Sequence, residues 1–202
     1  MNKSDLLRCI AEQGYNVGFG AKKHFATYDI IEKVPGLISF LSMAFGIYAL
    51  VIKSLSTELI SATFIVLGVM GLYISMYNHK KDTYEKAAVA LTQLFNDLKV
   101  LYLHVKNLDE SSDLSNYQKE LSDIESRYYP LCISTQILFS NWYAHYKFYW
   151  EHQIDWVNEQ KEFNFFRDKV PLSLWVTILF LIVGFIWVFT DIASLVCKLL
   201  QP

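Results

Sequence analysis

Charge is scarce in this chain. Charged residues occupy 19% of its 202 positions, against about a quarter in an ordinary soluble domain. Cysteine is scarce as well: Cys9, Cys132 and Cys197 lie far apart, so neither a local disulfide framework nor a C-x-x-C pair can be built from them. They read as bland thiols, packed or facing lipid. No sign of charge dominates, because 18 Lys and Arg stand against 20 Asp and Glu. That balance excludes the basic field that would hold nucleic acid directly. An early apolar run is also missing. Lys3, Asp5, Arg8, Glu12, Lys22, Lys23, Asp29, Glu32 and Lys33 are spread over residues 1–33, so no signal peptide is expected there.

Hydrophobic residues, in contrast, make up 53% of the chain. Three uncharged blocks hold many of them: 34–52 and 59–77, of 19 residues each, and 170–190, of 21. At 1.5 Å per residue, 19 helical residues reach about 28 Å, close to the hydrocarbon thickness of a bilayer. A soluble globule, a β-barrel and a disordered tail are therefore excluded. The expected fold is an all-α integral membrane protein. An N-terminal amphipathic helix (1–33) precedes a two-span hairpin (34–77). A cytosolic antiparallel helical region (78–169) follows, then a third transmembrane helix with a short external tail (170–202).

Lysine and arginine accumulate on the cytoplasmic side of short loops. Five precede the first block, eleven lie between Asn78 and Lys169, and Lys53 and Lys198 stand alone in the remaining two segments. The expected orientation is N-terminus inside, a tight external turn from Lys53 to Glu58, and C-terminus outside.

Two apolar stripes have helical period. Ile10, Gly14, Val17, Ala21, His24, Tyr28 and Ile31 step by four and three, the seam of an amphipathic helix. Gly14, Gly18 and Gly20 weaken that helix, each by up to about 1 kcal/mol, unless their missing side chains admit a close neighbour. Val34-Pro35-Gly36 predicts a break or kink at membrane entry. The second stripe is cleaner: Tyr84, Ala87, Leu91, Leu94, Leu98, Leu101 and Val105, widened by Ala88, Phe95 and Tyr102. It predicts a helix continuing from the second span and ending before the polar turn 109–113. A further helix restarts near Ser115 and stops before Pro130. Aromatic residues then crowd together, from Phe139 through Trp142, Tyr146 and Trp150 to Trp156. Without Gly, Pro or strand-like alternation, this stretch is expected to be helical through Arg167. Pro171 suits the first turn of the last span.

No catalytic constellation emerges. G-x-S-x-G, Walker, G-x-G-x-x-G and H-E-x-x-H patterns are absent from the sequence, and no strand precedes Gly18-Phe-Gly20, which a phosphate loop would need. His145 and His152 would share one helical face, but two ligands do not make a metal site, so packed or solvated imidazoles are expected. Neither a metal nor a cofactor is expected, and the chain is read as no enzyme. The aromatic stretch lacks a basic groove and so does not suit base stacking; core packing, a subunit interface or a membrane-surface belt suits it better.

The membrane segments carry more. Ser42 and Gly46 are four apart, as are Gly71 and Ser75, with Gly68 one turn before Gly71. Small residues at this spacing let helices approach closely in lipid, either within one hairpin or between subunits around a pore. Gly184 in the third block is a further small-residue candidate. Asp191 follows that block directly, where a carboxylate marks an ion path or, more simply, an interfacial anchor.

The run Gly14-Tyr-Asn-Val-Gly-Phe-Gly-Ala-Lys-Lys-His-Phe-Ala-Thr-Tyr28, then a tight hairpin and a cytosolic helix, resembles the SLATT family over residues 6–107. These are SMODS and SLOG-associating two-transmembrane effectors of bacterial conflict systems. Tyr15, Asn16, Ala21, His24, Phe25 and Tyr28 match its pattern before the hairpin; the third span is a departure from it. The resemblance implies an oligomeric effector of anti-phage immunity that breaches the bacterial inner membrane. Its partner would be a nucleotide second-messenger synthase, a SLOG-type sensor or a reverse transcriptase. It carries no catalytic residues. Leu91, Leu94, Leu98 and Leu101 are the expected assembly surface, with Tyr15, Asn16, His24 and Tyr28 as further partner contacts. Two rival readings remain at this point. One is a non-conducting membrane scaffold or sensor subunit that recruits its partner through residues 78–169. The other is a lipid-modifying enzyme, which no acid, base or metal cluster supports.

Overall fold

The computed structural model describes residues 1–52 and 57–189. Residues 53–56 of the expected external turn lie outside the described residues, as do Asp191 and Cys197. The described residues are helical with no strand, and they form two compact units, one of residues 1–162 and one that begins at Phe163.

The first unit is built on a long antiparallel hairpin. Helix α1 runs from Lys3 to Val51, 49 residues, capped by the Asn2 side chain, which accepts from the Asp5 N–H at 2.7 Å. The acidic Asp5 in that first turn complements the helix dipole. Helix α2 spans Glu58–Ser75, with Thr57 as its cap. A 3₁₀ turn, Asn78–Lys80, joins it to α3, Lys81–Lys106. From Glu58 to Lys106 the return arm is again 49 residues. Contacts between the arms keep one antiparallel register throughout. Phe45 meets Phe64, Ile38 lies beneath Gly71, Glu32 pairs with Lys81, His24 with Tyr84, Gly18 with Phe95, and Lys3 with the Leu108 carbonyl. At 1.5 Å per residue each arm is about 74 Å long, more than twice a bilayer core.

The break expected at Val34-Pro35-Gly36 does not occur: Pro35 lies inside α1. Proline removes one hydrogen bond to the preceding turn. The arm facing it holds α1 on both sides of the gap, through Glu32–Lys81 and Ile38–Gly71, and the Ser39 hydroxyl donates to the Pro35 carbonyl at 2.9 Å. Residues 1–33 are therefore one rod with the first apolar segment.

Both periodic stripes are buried in the seam between α1 and α3. All ten residues of the α3 stripe are buried, and they are the only buried residues of that helix. Ile10, Gly14, Val17, Ala21, His24 and Ile31 are buried on α1. Three short helices complete the unit: α4 (Ser115–Tyr128), α5 (Ser140–Tyr149) and α6 (Asp155–Lys161). The aromatic stretch is therefore not one helix. Residues 132–139 are extended or turned, Phe139 and Glu162 have left-handed backbones (φ 65° and 47°), and a loop separates α5 from α6. Its rings pack the core: Phe148 and Trp156 are buried against Tyr15, Phe19, Phe95 and Tyr102.

In the second unit a π turn, Phe165–Lys169, leads into α7, Leu172–Phe189. The Trp175 indole N–H donates to the Phe166 carbonyl at 3.2 Å, and Pro171 stands just before the helix.

Candidate functional site

Two places in the first unit carry function-bearing geometry: the bare apolar half of the hairpin, and the polar joint at its base.

The apolar half of α1 and nearly all of α2 expose their side chains. Phe40, Met43, Ile47, Leu50, Ile65, Val69 and Leu72 are all open. The most apolar window of α1 is 0% buried and that of the return arm 6%. A soluble protein would bury such helices; exposed surface of this extent needs a non-aqueous partner. Two helices among the described residues are long and apolar enough to cross a bilayer.

The small residues divide. A Cβ on Gly71 would meet Ile38 at 3.9 Å, so this position lies in the intramolecular hairpin contact. Gly46, Gly68 and Gly184 have nothing within 4 Å. Ser75 donates to the Gly71 carbonyl at 2.9 Å, while Ser42 is partly buried. With Phe45 opposite Phe64 and Ile38 opposite Gly71, Gly46 and Gly68 lie more than one helical turn apart in height, about 7.5 Å.

At the base, three α1 side chains hold the rest of the unit. His24 Nδ1 lies 2.7 Å from the Gly20 carbonyl and Nε2 accepts from the Ile133 N–H at 3.1 Å. This fixes the Nδ1–H tautomer of a neutral ring, and burial lowers its pKa to match. Thr27 donates to the Gln136 side-chain carbonyl, and Tyr84 donates to the Thr135 carbonyl at 2.6 Å. The extended segment 132–139 is thus satisfied by side chains instead of a helix or sheet. The Asp29 carboxylate bridges Lys33 (2.6 Å) and Lys147 (2.8 Å), tying α5 to α1. Burial would raise the Asp29 pKa, but the two ammonium groups outweigh it and hold the carboxyl below the usual carboxylate range. Lys147 is the converse case, raised by Asp29 against its own burial.

Tyr15, Asn16 and His24 come together with Tyr128, Cys132 and Gln136 around a cavity of about 260 Å³. Tyr28 instead packs beside Ile31, Ile74 and Ile137. Leu91, Leu94, Leu98 and Leu101, the expected assembly surface, lie in the seam between α1 and α3. They are 0–2% exposed and their stripe is covered by α1 of the same chain. Nor do His145 and His152 share a helix. His145 packs on Phe19 at 4.9 Å and His152 on Phe95 at 4.7 Å, and burial beside Lys22 and Lys99 lowers the His152 pKa to about 4. Among the described residues no three His, Cys, Asp or Glu groups gather as a metal site would require. Asp29, Thr27 and Lys147 were not singled out in the sequence. The one signal was a polar triplet, Thr27-Tyr28-Asp29, set inside an apolar seam.

The family model for the SMODS and SLOG-associating 2TM effector domain 6 matches residues 1–178. That match spans the hairpin, the seam and every helix of the first unit. The chain belongs to the SLATT family. It is accordingly a membrane effector domain of conflict systems, and the exposed hairpin is its two-transmembrane element. The match extends well past residue 107, so the aromatic helices α5 and α6 are part of the family domain. Neither a curated protein nor a solved structure matches the chain.

Proposed function

We propose that this SLATT protein is a non-enzymatic, oligomeric effector of anti-phage immunity that opens a pore in the bacterial inner membrane when a cytosolic signal reaches residues 1–33 and 78–162. The observation that carries this reading is the unbroken α1, one helix from the buried seam into the apolar segment. A helix that is rigid across that boundary passes a rotation or tilt of the seam directly to the span. Two or three spans cannot enclose water, so conduction needs several copies. Gly46 and Gly68, both open, would allow the close helix contacts that association in lipid requires. The uneven lysine and arginine count supports a cytosolic N-terminus and a cytosolic α3–α6 bundle. With α7 as a third span, the C-terminus lies outside. The upstream partner is a second-messenger synthase, a SLOG-type sensor or a reverse transcriptase.

The test is depolarisation in living bacteria, with a potential-sensitive dye, on expression of the chain with its genomic neighbours and phage challenge. Wild type should depolarise before lysis. Full protection from phage with no change in potential would instead favour the non-conducting scaffold.

A further inference from the structure

The base of the hairpin holds an apolar slot. A cavity of about 410 Å³ lies between Ile30 and Val34 of α1, Met70 and Tyr73 of α2, and Ile137 and Phe139 of the extended segment. Apart from the Tyr73 hydroxyl, no lining side chain carries an oxygen or nitrogen. A second cavity of about 360 Å³ shares Ile30, Val34 and Phe139 with the first and adds Asp29, Lys33, Trp142 and Tyr143. The two cavities are neighbours separated by shared side chains, one with a greasy wall and one with a charged, aromatic mouth, each within the size range of small-molecule sites.

We propose that these neighbouring cavities hold one anionic glycerophospholipid, an acyl chain in the slot and the phosphate at Lys33. The slot belongs to the lipid-facing surface. Val69, another of its wall residues, is 60% exposed on the apolar helix, about 17 Å along α2 from the turn, and Tyr73 is about 23 Å along. That depth lies in the leaflet remote from the turn, where an acyl chain can enter sideways without crossing water. The mouth selects the headgroup. Lys33 and Lys147 share the single carboxylate of Asp29, which leaves one positive charge in surplus. Lys147 is enclosed, whereas the Lys33 side chain is 68% exposed and gives Asp29 only one of its three N–H donors. Trp142 and Tyr143 sit beside it, the aromatic types that favour the headgroup level. The lipid would thereby join α1, α2 and the 132–139 segment at the joint between seam and spans.

This inference rests on the membrane placement of the hairpin and not on conduction. The full-length chain is purified in mild detergent, mixed with equal phosphatidylglycerol and phosphatidylcholine, and weighed intact by native mass spectrometry. Wild type should retain one phosphatidylglycerol at collision energies that strip the rest. Val69→Trp, which fills the slot, should lower that retention about tenfold, while Leu72→Trp, outside the lining, should leave it unchanged. Lys33→Gln should keep a bound lipid but lose the preference for phosphatidylglycerol several-fold. Circular dichroism confirms that each variant remains helical. Equal retention in wild type and Val69→Trp would overturn the slot. Retention without headgroup preference in wild type would overturn the role of Lys33, and an empty slot with a dimer lost in Val69→Trp would make the occupant a second copy. Recovery of the wild-type chain in the soluble fraction would overturn the membrane placement together with this inference.

Discussion

At Gly18 a single added atom should be costly. Its missing Cβ leaves room for Phe95, whose ring would stand 2.7 Å from it, and for Phe148 at 2.9 Å. Both rings are buried and cannot swing aside. Gly18→Ala should therefore destabilise the first unit by about 1–3 kcal/mol despite its better helix propensity. Gly71→Ala, meeting only Ile38 at 3.9 Å, should be tolerated; thermal melts of both in detergent check the contrast. Histidine supplies a second test. His24 and His152 have pKa values lowered by burial, His152 to about 4. The unfolded chain takes up their protons first, so the native state binds fewer in that interval. Stability is then complete above about pH 6.5 and is lost as the pH falls towards about 4. The melting temperature should drop from pH 7.5 to pH 5, and His152→Gln should flatten that drop.

Among the elements, α5 depends on the Asp29–Lys147 pair, whose side chains are only 12% and 16% exposed. Asp29→Asn should weaken its docking by about 1.5–3 kcal/mol, the scale of a hydrogen bond to a charged group. Amide exchange should quicken in residues 140–149 while α3 stays protected; uniform quickening would mean that α5 is not separately held. The α3 stripe behaves differently. Leu94→Asp with Leu98→Asp buries two charges in the seam between α1 and α3, at a cost of several kcal/mol. The double variant should become protease-sensitive throughout residues 81–162, not merely lose partners. Such elements were readable in the sequence to unequal degrees. The α1 and α3 stripes were legible residue by residue, because each is one face of a long helix pressed on one partner. The aromatic stretch was not. It breaks without glycine or proline, at Phe139 and at 150–154; ahead of the first break, His24 and Tyr84 satisfy backbone groups of Ile133 and Thr135 in place of a helix. The Asp29–Lys147 pair joins residues too far apart for any periodic pattern to reveal. Pro35 misled in the other direction, since a neighbouring arm can hold a helix through a proline that would break it alone.

At the scale of the whole molecule, one continuous helix, α1, joins the buried seam to the exposed apolar hairpin. If copies assemble through the open glycines, Gly68→Leu should abolish depolarisation with membrane insertion intact, because leucine favours insertion. Gly71→Leu should act less through assembly and more through the hairpin itself, spreading it at Ile38. Chemical crosslinking at matched membrane levels separates the two effects. The most direct measurement is release of a trapped dye from liposomes carrying the purified full-length chain, followed as protein density rises. The account predicts release that climbs more steeply than in proportion to density and that Gly68→Leu removes. Vesicles that stay sealed at densities where crosslinking already detects oligomers would contradict it.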